Sequence, residues 1–573
     1  MTSRIGNFDR PDGLPWLFRS RLFIGCLLGL AVFAVWAYTV QLRLPYMNQV
    51  PVYDADGISA EASMWARMWW DEGPFKLWFS TPRAPLSIET PTLAARTLYE
   101  SWPSGAFVPI YLVALILGQE PSVAIVNWIN TSLHGLIALA VAFIAFHLAL
   151  LNRLRVLTSG IVAFGTCLPI LLSPALIYVF SQIYDVVTAV LIFVALFILL
   201  EVLFYRAQSA RDRRIITALQ LATIWCAFFV DWLSYNLFAF WIMSRLAAGY
   251  LGVEPRLTLR RLAALLALPV CAFALYFVWR FFAPGSVARS YGIEASIDQL
   301  VGKIMQRMNL TDDTPITGFI PAFLEMHADY LAKPAFPLLV ASIVLALALL
   351  VFAYRRSSEA SERRAIFATM AVLLLVTVPN YTHMLILYQH TFLHRWAITK
   401  AMAAYSLIPF AILPISIFVV ARQAIDRGEL TMASKLLQPA GLVLAAAALL
   451  GSFDVSHRPF SFLGRINREQ LLMWEDISRN TQYKDVVVSP VLEATPISKE
   501  IGASYKLVHH ADNFADVDAV VAHVCGDFNV VVALPKGTDS GEFGTRKPNE
   551  MTDTGRIRLL RYSSYPRKAI GCP

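Results

Sequence analysis

Long apolar runs separated by more polar segments dominate the chain as far as residue 452. A helix of roughly 20 apolar residues spans the hydrocarbon core of a bilayer, whereas a run of 10–14 residues does not. The pattern therefore predicts a polytopic α-helical membrane protein with about eleven transmembrane helices. The helices are predicted at residues 22–42, 123–151, 156–175, 185–205, 215–231, 233–250, 263–282, 336–354, 365–386, 398–421 and 436–452.

Basic residues lie in clusters at alternate ends of these predicted helices. Cytoplasmic loops of membrane proteins are enriched in Lys and Arg, so the clusters predict a cytoplasmic N-terminus and a C-terminus on the outer side. The clusters are Arg4, Arg10, Arg19 and Arg21; Arg153 and Arg155; Arg206, Arg211, Arg213 and Arg214; Arg256, Arg260 and Arg261; Arg355, Arg356, Arg363 and Arg364; and Arg422, Arg427 and Lys435.

The composition excludes several other classes of protein. Hydrophobic residues make up 57% of the chain and charged residues only 15%, against about 25% charged residues in soluble domains. A large cytosolic enzyme, a disordered chain and a small disulfide scaffold are therefore excluded. The net charge of +8 is explained by the loop clusters, so no nucleic-acid partner is predicted.

The spacing of the apolar runs also predicts the domain organisation. Two long segments fall on the predicted outer side, at residues 44–122 and 283–335. From residue 453 the hydropathy falls, and strand-like and helical patterns alternate. The prediction is a transmembrane domain at residues 1–452 and a small C-terminal α/β domain outside the membrane at 453–573. Its strands are predicted at 485–489, 518–522 and 529–533, with a helix at 465–479.

Carboxylates lie at three predicted outer boundaries of the membrane. Asp54, Asp56 and Glu61 follow the first span, and Asp185 and Asp231 adjoin later spans. Ionisable groups at such depth are costly and tend to be functional, although a loop or helix cap is the alternative for the first pair. Three carboxylate sites facing one cavity would suit a general base, with partners that position a substrate or a metal ion.

The first outer segment contains two further predicted elements. Ala60, Met64 and Met68 form an apolar stripe at helical spacing, which predicts a helix in the membrane interface. After Trp102 an apolar run at residues 106–118 is too short for a span and is predicted to form an interfacial or re-entrant helix.

The order of these features resembles the GT-C superfold of polyprenyl-phosphate-sugar-dependent glycosyltransferases. That superfold includes protein O-mannosyltransferases, lipid A aminoarabinose transferases and mycobacterial arabinosyltransferases. The segment Asp54–Ser59 is similar to the acidic motif that opens their large outer loop. Trp102–Gly105 is similar to the loop before their short apolar helix, and Ser181–Asp185 to their second acidic site.

The resemblance implies roles for the acidic residues. Asp54 or Asp56 would be the catalytic base, and the residues alone do not choose between them. Asp185 would position the substrate or a metal ion, and we predict the same role for Asp231, Glu61 and Trp102. A divalent cation, Mg²⁺ or Mn²⁺, is the only cofactor that these acids suggest, and no metal ligands are assigned.

The resemblance also implies a site for the lipid phosphate. Many relatives place Lys or His before a Pro-Pro pair to bind phosphate, whereas here Trp102 precedes the single Pro103. Relatives commonly carry a basic residue between two late helices, where this chain has four candidates. For Arg395 and Lys400, anchoring at the membrane interface is the alternative. The candidates are His390, His394, Arg395 and Lys400.

The resemblance predicts an inverting membrane glycosyltransferase that uses a polyprenyl-phosphate-linked sugar. The acceptor would be a cell-envelope glycan, lipid or protein on the periplasmic side. The predicted location is the bacterial inner membrane, with the C-terminal domain in the periplasm and membrane lipids as further partners. A transporter or flippase of lipid-linked saccharides is the alternative, although its acids would lie near the bilayer midplane.

Overall fold

The computed structural model of the protein describes residues 20–47, 56–82, 98–310, 318–331 and 335–428, with shorter C-terminal stretches between residues 473 and 563. Short 3₁₀ turns occur at Leu44–Tyr46, Ser104–Phe107 and Arg395–Ala401. The helices are α1 (Arg21–Arg43), α2 (Asp56–Glu72), α3 (Val108–Leu117), α4 (Val123–Leu151), α5 (Val156–Leu172), α6 (Pro174–Gln182), α7 (Val186–Arg206), α8 (Ala210–Phe228), α9 (Leu233–Tyr250), α10 (Leu259–Phe282), α11 (Val287–Tyr291), α12 (Ile293–Arg307), α13 (Phe319–Tyr330), α14 (Ala335–Arg356), α15 (Ala360–Ile386), α16 (Tyr388–Leu393), α17 (Met402–Leu407) and α18 (Leu413–Asp426).

Seven helical segments in the described part of the chain are long and apolar enough to cross a membrane, or eight if the bent pair α5–α6 is one span. The protein is therefore a multi-pass membrane protein. α8 and α9 lie at predicted spans, and the predicted helix 436–452 falls outside the described residues. The total of eleven spans stays a prediction. The seven segments are Arg21–Arg43, Val123–Leu151, Val186–Arg206, Leu259–Phe282, Phe336–Arg356, Ala360–Ile386 and Arg395–Asp426.

The span predicted at residues 156–175 is broken in the structure. α5 ends at Leu172 and α6 begins at Pro174, with an angle of 63° between them. A residue before proline is disfavoured in the helical conformation, and Ser173 accordingly adopts an extended backbone and caps α6. The break extends the segment to Gln182, three residues before Asp185.

The two ends of the helical bundle differ in charge. At one end, where α4, α7 and α9 end, Glu254 pairs with Arg213 at 3.4 Å and with Arg364 at 2.8 Å. The members of the basic clusters that fall within the described residues lie at this end, which we call the basic end. At the opposite end, α1, α6, α8, α10 and α15 end; we call it the site end. This separation agrees with the positive-inside rule, while the orientation in the membrane stays a prediction.

The helix predicted in the membrane interface is packed within the protein. α2 contacts α3 and α4, and Met64, Trp65, Met68 and Trp69 are buried. The indoles of Trp65 and Trp69 donate hydrogen bonds to the carbonyls of Pro82 and Ser80, at 2.9 and 2.7 Å. Met64 and Met68 of the apolar stripe are therefore buried, and the following loop folds back over this helix.

A small sheet near the C-terminus confirms the predicted α/β region. Its strands are β1 (Val486–Ser489), β2 (Leu507–His510), β3 (Asn529–Pro535), β4 (Glu550–Asp553) and β5 (Ile557–Ser563), in the order β2-β1-β3-β5-β4. β1 is parallel to β2 and β3, whereas β5 is antiparallel to β3 and β4. The predicted strand at 518–522 lies outside the described residues, as does the predicted boundary at 453.

Candidate functional site

The acidic segment after α1 is described only from the start of α2. Asp54 and the side chain of Asp56 lie outside the described residues, and Glu61 is exposed. Ser59, in the first turn of α2, donates a hydrogen bond to the carbonyl of Gln182 and accepts one from the amide of Tyr184, both at 2.7 Å. These bonds hold the start of α2 against the connection that leads to Asp185.

Asp185 caps α7 and is held by a second helix. One carboxylate oxygen accepts the amide of Thr188 at 2.9 Å, and the other accepts the indole N–H of Trp396 at 2.7 Å. Burial raises the pKa of Asp185 to about 6. Both oxygens are therefore fixed in direction by Thr188 and Trp396.

Asp231, Lys400 and His383 form a buried cluster between three helical segments. The Lys400 ammonium lies 3.1 Å from Asp231 Oδ2 and 3.3 Å from His383 Nδ1. His383 Nε2 lies 3.4 Å from Asp231 Oδ1. Burial opposes the charge of Asp231, but Lys400 and His383 outweigh it and hold the pKa of Asp231 below its ordinary value. Lys400 and Asp231 thus neutralise each other out of contact with water.

Trp102 lies at the centre of the predicted residues. Its ring meets His390 edge-on at 5.2 Å between centroids, and the Lys400 ammonium lies 5.8 Å from the ring centre. His394 lies 4.4 Å from His390 and 4.8 Å from Trp396, ring to ring. An unbroken series of contacts therefore joins Asp231 to Asp185. It runs through Lys400, Trp102, His390, His394 and Trp396.

Burial disfavours the charged form of the two histidines in this series. Burial lowers the pKa of His394 to about 4 and places the pKa of His390 well below its ordinary value. Their ring nitrogens are therefore better suited to hydrogen bonding than to supplying positive charge.

Arg395 points to another part of the site end. Its guanidinium lies 2.7 Å from the Glu325 carboxylate and 3.9 Å from Asp329, both on α13. Its side chain is 41% exposed. The structure thus brings Asp185, Asp231, Trp102, His390, His394 and Lys400 together and directs Arg395 elsewhere.

A cavity of about 220 Å³ opens beside this group of residues. Three cationic side chains, Arg280, Lys303 and Arg307, line it with one carboxylate, Glu100. His383 connects it to the buried cluster. The rest of the lining is mainly aromatic and aliphatic. The other lining residues are Ser101, Trp232, Asn236, Phe273, Tyr276, Leu300, Ile304, Ile386 and Leu387.

Glu100 holds one side of this cavity together. Its carboxylate lies 3.1 Å from Arg280 and accepts the amide of Val287 at 2.9 Å. Its backbone carbonyl accepts hydrogen bonds from Tyr276 and Arg280, at 2.6 and 2.7 Å. Glu100 therefore fixes α10 and α11 to the segment that contains Trp102.

Arg307 connects the cavity to the acidic side of the site. Its guanidinium lies 5.0 Å from the ring centre of Trp102 and hydrogen-bonds Tyr99. Burial raises the pKa of Tyr99 to about 12, although Arg307 opposes that rise. The charges of Glu61 and Asp185 also act on Tyr99, so these groups share one region of the site.

The sequence alone does not single out Arg280, Lys303, Arg307 or Glu100. One available signal was the position of Arg280 in the last turn of α10, at the end opposite the basic clusters. Another was the spacing of Lys303 and Arg307, because residues four positions apart lie on the same face of a helix. Neither signal reveals that the two elements meet.

A divalent cation is not accounted for by the described residues. No group of three His, Cys, Asp or Glu side chains in the described ranges could hold a metal ion. Asp185 is already engaged by Thr188 and Trp396, and Asp231 by Lys400. The structure therefore offers no fit for Mg²⁺ or Mn²⁺ among the side chains that it describes.

Comparison with known proteins identifies the fold. The oligosaccharyltransferase of Archaeoglobus fulgidus, in its apo form, matches with a TM-score of 0.52 and 10% identity, over 92% of this chain and 70% of the other. Its complex with zinc and sulfate matches with a TM-score of 0.51 and 11% identity, over 88% and 67%. The chain therefore has the GT-C fold, as the sequence predicted.

A further structure has a lower score. ArnT from Cupriavidus metallidurans, bound to undecaprenyl phosphate, matches with a TM-score of 0.46 and 14% identity, over 94% of this chain and 97% of the other. No family model matches the sequence. No curated protein matches it either.

Proposed function

We propose that the protein is a membrane glycosyltransferase that transfers a sugar from a polyprenyl-phosphate donor to a glycan, lipid or protein acceptor. The reaction would take place at the site end, on the periplasmic side of a bacterial inner membrane. The observation that carries the proposal is the cavity beside Trp102, where three cationic side chains face one carboxylate. The GT-C fold supports the same class of enzyme.

The charge of the cavity suits the leaving group of such a reaction. A polyprenyl phosphate sugar is a phosphodiester with one negative charge, and release of the sugar leaves a phosphate monoester with a second. Donors that interact more strongly with the more charged species lower the barrier, because they favour the transition state over the bound substrate. Arg280, Lys303 and Arg307 would supply these interactions, and arginine is well suited to phosphate.

The transfer is a single displacement. The acceptor hydroxyl oxygen attacks the anomeric carbon from the face opposite the phosphate, and its proton passes to a carboxylate base. The bond from the anomeric carbon to the phosphate oxygen breaks, and the phosphate keeps the electron pair. The configuration at the anomeric carbon is inverted.

Asp54 or Asp56 would be the base in this reaction. Ser59 supports this role because its hydrogen bonds hold the start of α2 beside Asp185. Asp185, whose two oxygens are fixed by Thr188 and Trp396, suits a positioning role. Asp54→Asn and Asp56→Asn are to be tested singly and together. The variant that removes the base is expected to lower transfer by about 10²–10⁴-fold.

Purified protein in liposomes, supplied with a polyprenyl-phosphate-linked sugar and a panel of envelope acceptors, tests the proposal. Release of free polyprenyl phosphate together with a glycosylated acceptor is expected. Movement of the intact donor across the bilayer without release would instead indicate a transporter or flippase. Assays with and without a chelator test whether Mg²⁺ or Mn²⁺ is required.

A matched pair of arginines tests the phosphate site. Arg307→Ala removes a cation from the cavity wall, whereas Arg395→Ala removes one paired with exposed Glu325. A hydrogen bond to a charged group contributes about 1.5–3 kcal/mol, so Arg307→Ala is expected to raise the KM for the donor by roughly 10–100-fold. Arg395→Ala is expected to leave it nearly unchanged. A larger rise in donor KM for Arg395→Ala than for Arg307→Ala would instead assign phosphate binding to Arg395.

A further inference from the structure

α12 has three distinct faces along its length. Ile293, Ile297 and Val301, spaced four residues apart, are 55%, 44% and 51% exposed. Lys303 and Arg307 form a second face that lines the cavity. Asp298 and Gln306 are exposed on a third face. A helix with one apolar face, one polar face and no protein covering the apolar side is typical of the membrane interface.

Both ends of α12 are fixed to the ends of membrane-spanning helices. Near its start, the carbonyl of Ser296 and the side chain of Gln299 accept hydrogen bonds from Arg280, in the last turn of α10, at 3.2 and 3.1 Å. Directly after its end, the Asn309 amide donates to the hydroxyl of Tyr388, which follows α15. α12 therefore runs across the boundary at which these two helices leave the bilayer.

The exposed face of α12 continues the apolar surface of the spanning helices. Val270, Leu275 and Phe282 of α10 are 66%, 50% and 57% exposed, as expected of side chains that face lipid. Tyr291, just before α12, is 74% exposed, and tyrosine is enriched where a membrane meets water. Lipid acyl chains are thus the occupant that fits the exposed face of α12.

We propose that α12 is a membrane-surface helix whose face Ile293–Ile297–Val301 inserts among the acyl chains of the leaflet at the site end. Its third face then meets water, and Lys303 and Arg307 lie at the depth of the lipid headgroups. A phosphate anchored in that leaflet reaches the cavity by lateral diffusion, without leaving the membrane surface. This arrangement does not depend on the reaction proposed above.

Spin labels distinguish the two exposed faces. The full chain, with its native cysteines replaced by alanine, receives a nitroxide at Ile297→Cys, Val301→Cys, Asp298→Cys or Gln306→Cys and is reconstituted in phospholipid liposomes. Labels at 297 and 301 are expected to collide more with oxygen than with a water-soluble nickel chelate. Labels at 298 and 306 are expected to show the reverse.

Two outcomes would overturn the proposal. Equal access of the nickel chelate to positions 297 and 306 would place α12 in water. Spectra at 297 that broaden with increasing protein-to-lipid ratio, with no preference for oxygen, would mean that a second copy of the chain covers this face.

A second measurement keeps the native cysteines. A phospholipid with a photoreactive group in its acyl chain is expected to cross-link to the peptide that contains α12. Ile297→Asp is expected to reduce this yield by roughly tenfold or more, because a charge in hydrocarbon costs at least that factor. The control Asp298→Asn is expected to change nothing. Absence of any cross-link to α12 in the unsubstituted protein would also refute the proposal.

Discussion

Asp231 and Lys400 show how tightly paired charges behave away from water. Lys400 is 1% exposed and lies 3.1 Å from Asp231, which is fully buried. Removing one partner leaves an uncompensated charge, at a cost of about 3–5 kcal/mol, whereas removing both is often nearly neutral. The pair therefore holds the helical segment from Arg395 against the turn between α8 and α9.

Lys400→Met is expected to lower the midpoint of thermal unfolding in detergent, and Lys400→Met with Asp231→Asn is expected to recover most of it. The KM for the donor, measured on the double variant, distinguishes pairing with Asp231 from binding of the donor phosphate as the role of Lys400. A Lys400→Met protein with unchanged thermal stability but greatly weakened donor binding would show that Lys400 binds phosphate directly.

Asp185 provides a pH-dependent test. Its pKa is raised by burial to about 6, so the carboxylate that accepts the Trp396 N–H is lost as the pH falls below that value. Transfer is expected to rise with pH through about 6, and Asp185→Asn, which can still cap α7, is expected to lose this inflection. Identical pH profiles of the two proteins would contradict the assignment.

The raised pKa of Asp185 has opposite effects on the pH dependence of activity and of folding stability. The ordinary value is 3.8, so the folded protein binds this proton more tightly than the unfolded chain does. Asp185 therefore favours folding at low pH, and its contribution is lost as the pH rises through about 6. A loss of activity below pH 6 would then not be explained by unfolding at this residue.

At the scale of elements, the site depends on a close contact between two connections. The amide of Gly105 donates to the carbonyl of Phe229 at 2.9 Å, and a Cβ at Gly105 would lie 2.2 Å from that oxygen. The segment that contains Trp102 thus rests directly on the turn that contains Asp231. Only glycine permits this approach.

Gly105→Ala is expected to destabilise the fold by about 1–3 kcal/mol, because the backbone must shift. Gly302→Ala is the matched control, since a Cβ there meets no atom within 4 Å. Alanine in place of glycine within a helix is itself stabilising by roughly 0.5–1 kcal/mol. Thermal unfolding of the two variants measures the difference. Equal stability would mean that the contact between Gly105 and Phe229 is dispensable.

At the scale of the whole molecule, the separation of charge predicts the orientation. Arg211 lies in the first turn of α8, at the basic end, and Gln306 lies at the site end. In a chain without native cysteines, Gln306→Cys is expected to react with an impermeant thiol reagent applied to intact spheroplasts of a bacterial host. Arg211→Cys is expected to react only after the membrane is opened. The reverse pattern would invert the predicted topology.

The sequence predicted the seven segments that are long and apolar enough to span the membrane, because burial in lipid imposes one requirement on every span. It also placed Asp185, Asp231 and Trp102 on the same side of the membrane, and the structure brings them close together, while their roles stay predictions. The partners of Lys400 and Arg395 were not predictable in the same way. Whether a lysine meets Asp231 or a phosphate, and whether an arginine meets Glu325, depends on contacts between residues 70 or more positions apart.

The cavity lined by Arg280, Lys303 and Arg307 could not be predicted, for a related physical reason. Arg280 near a helix end satisfies the ordinary pattern of an interfacial anchor, and the two cations of α12 fit a solvated face. Their shared cavity lies where Glu100 holds α10 and α11 to the segment that contains Trp102, through contacts that the sequence does not reveal.

The series of rings between Asp185 and Asp231 has a consequence for the fate of the sugar. Trp102, His390, His394 and Trp396 fill this space with side chains in direct contact. Water at high concentration competes with any acceptor hydroxyl for an activated sugar, and a site that excludes water suppresses this side reaction. Under the proposed function, the packed rings would decide how often the donor is hydrolysed for each sugar delivered.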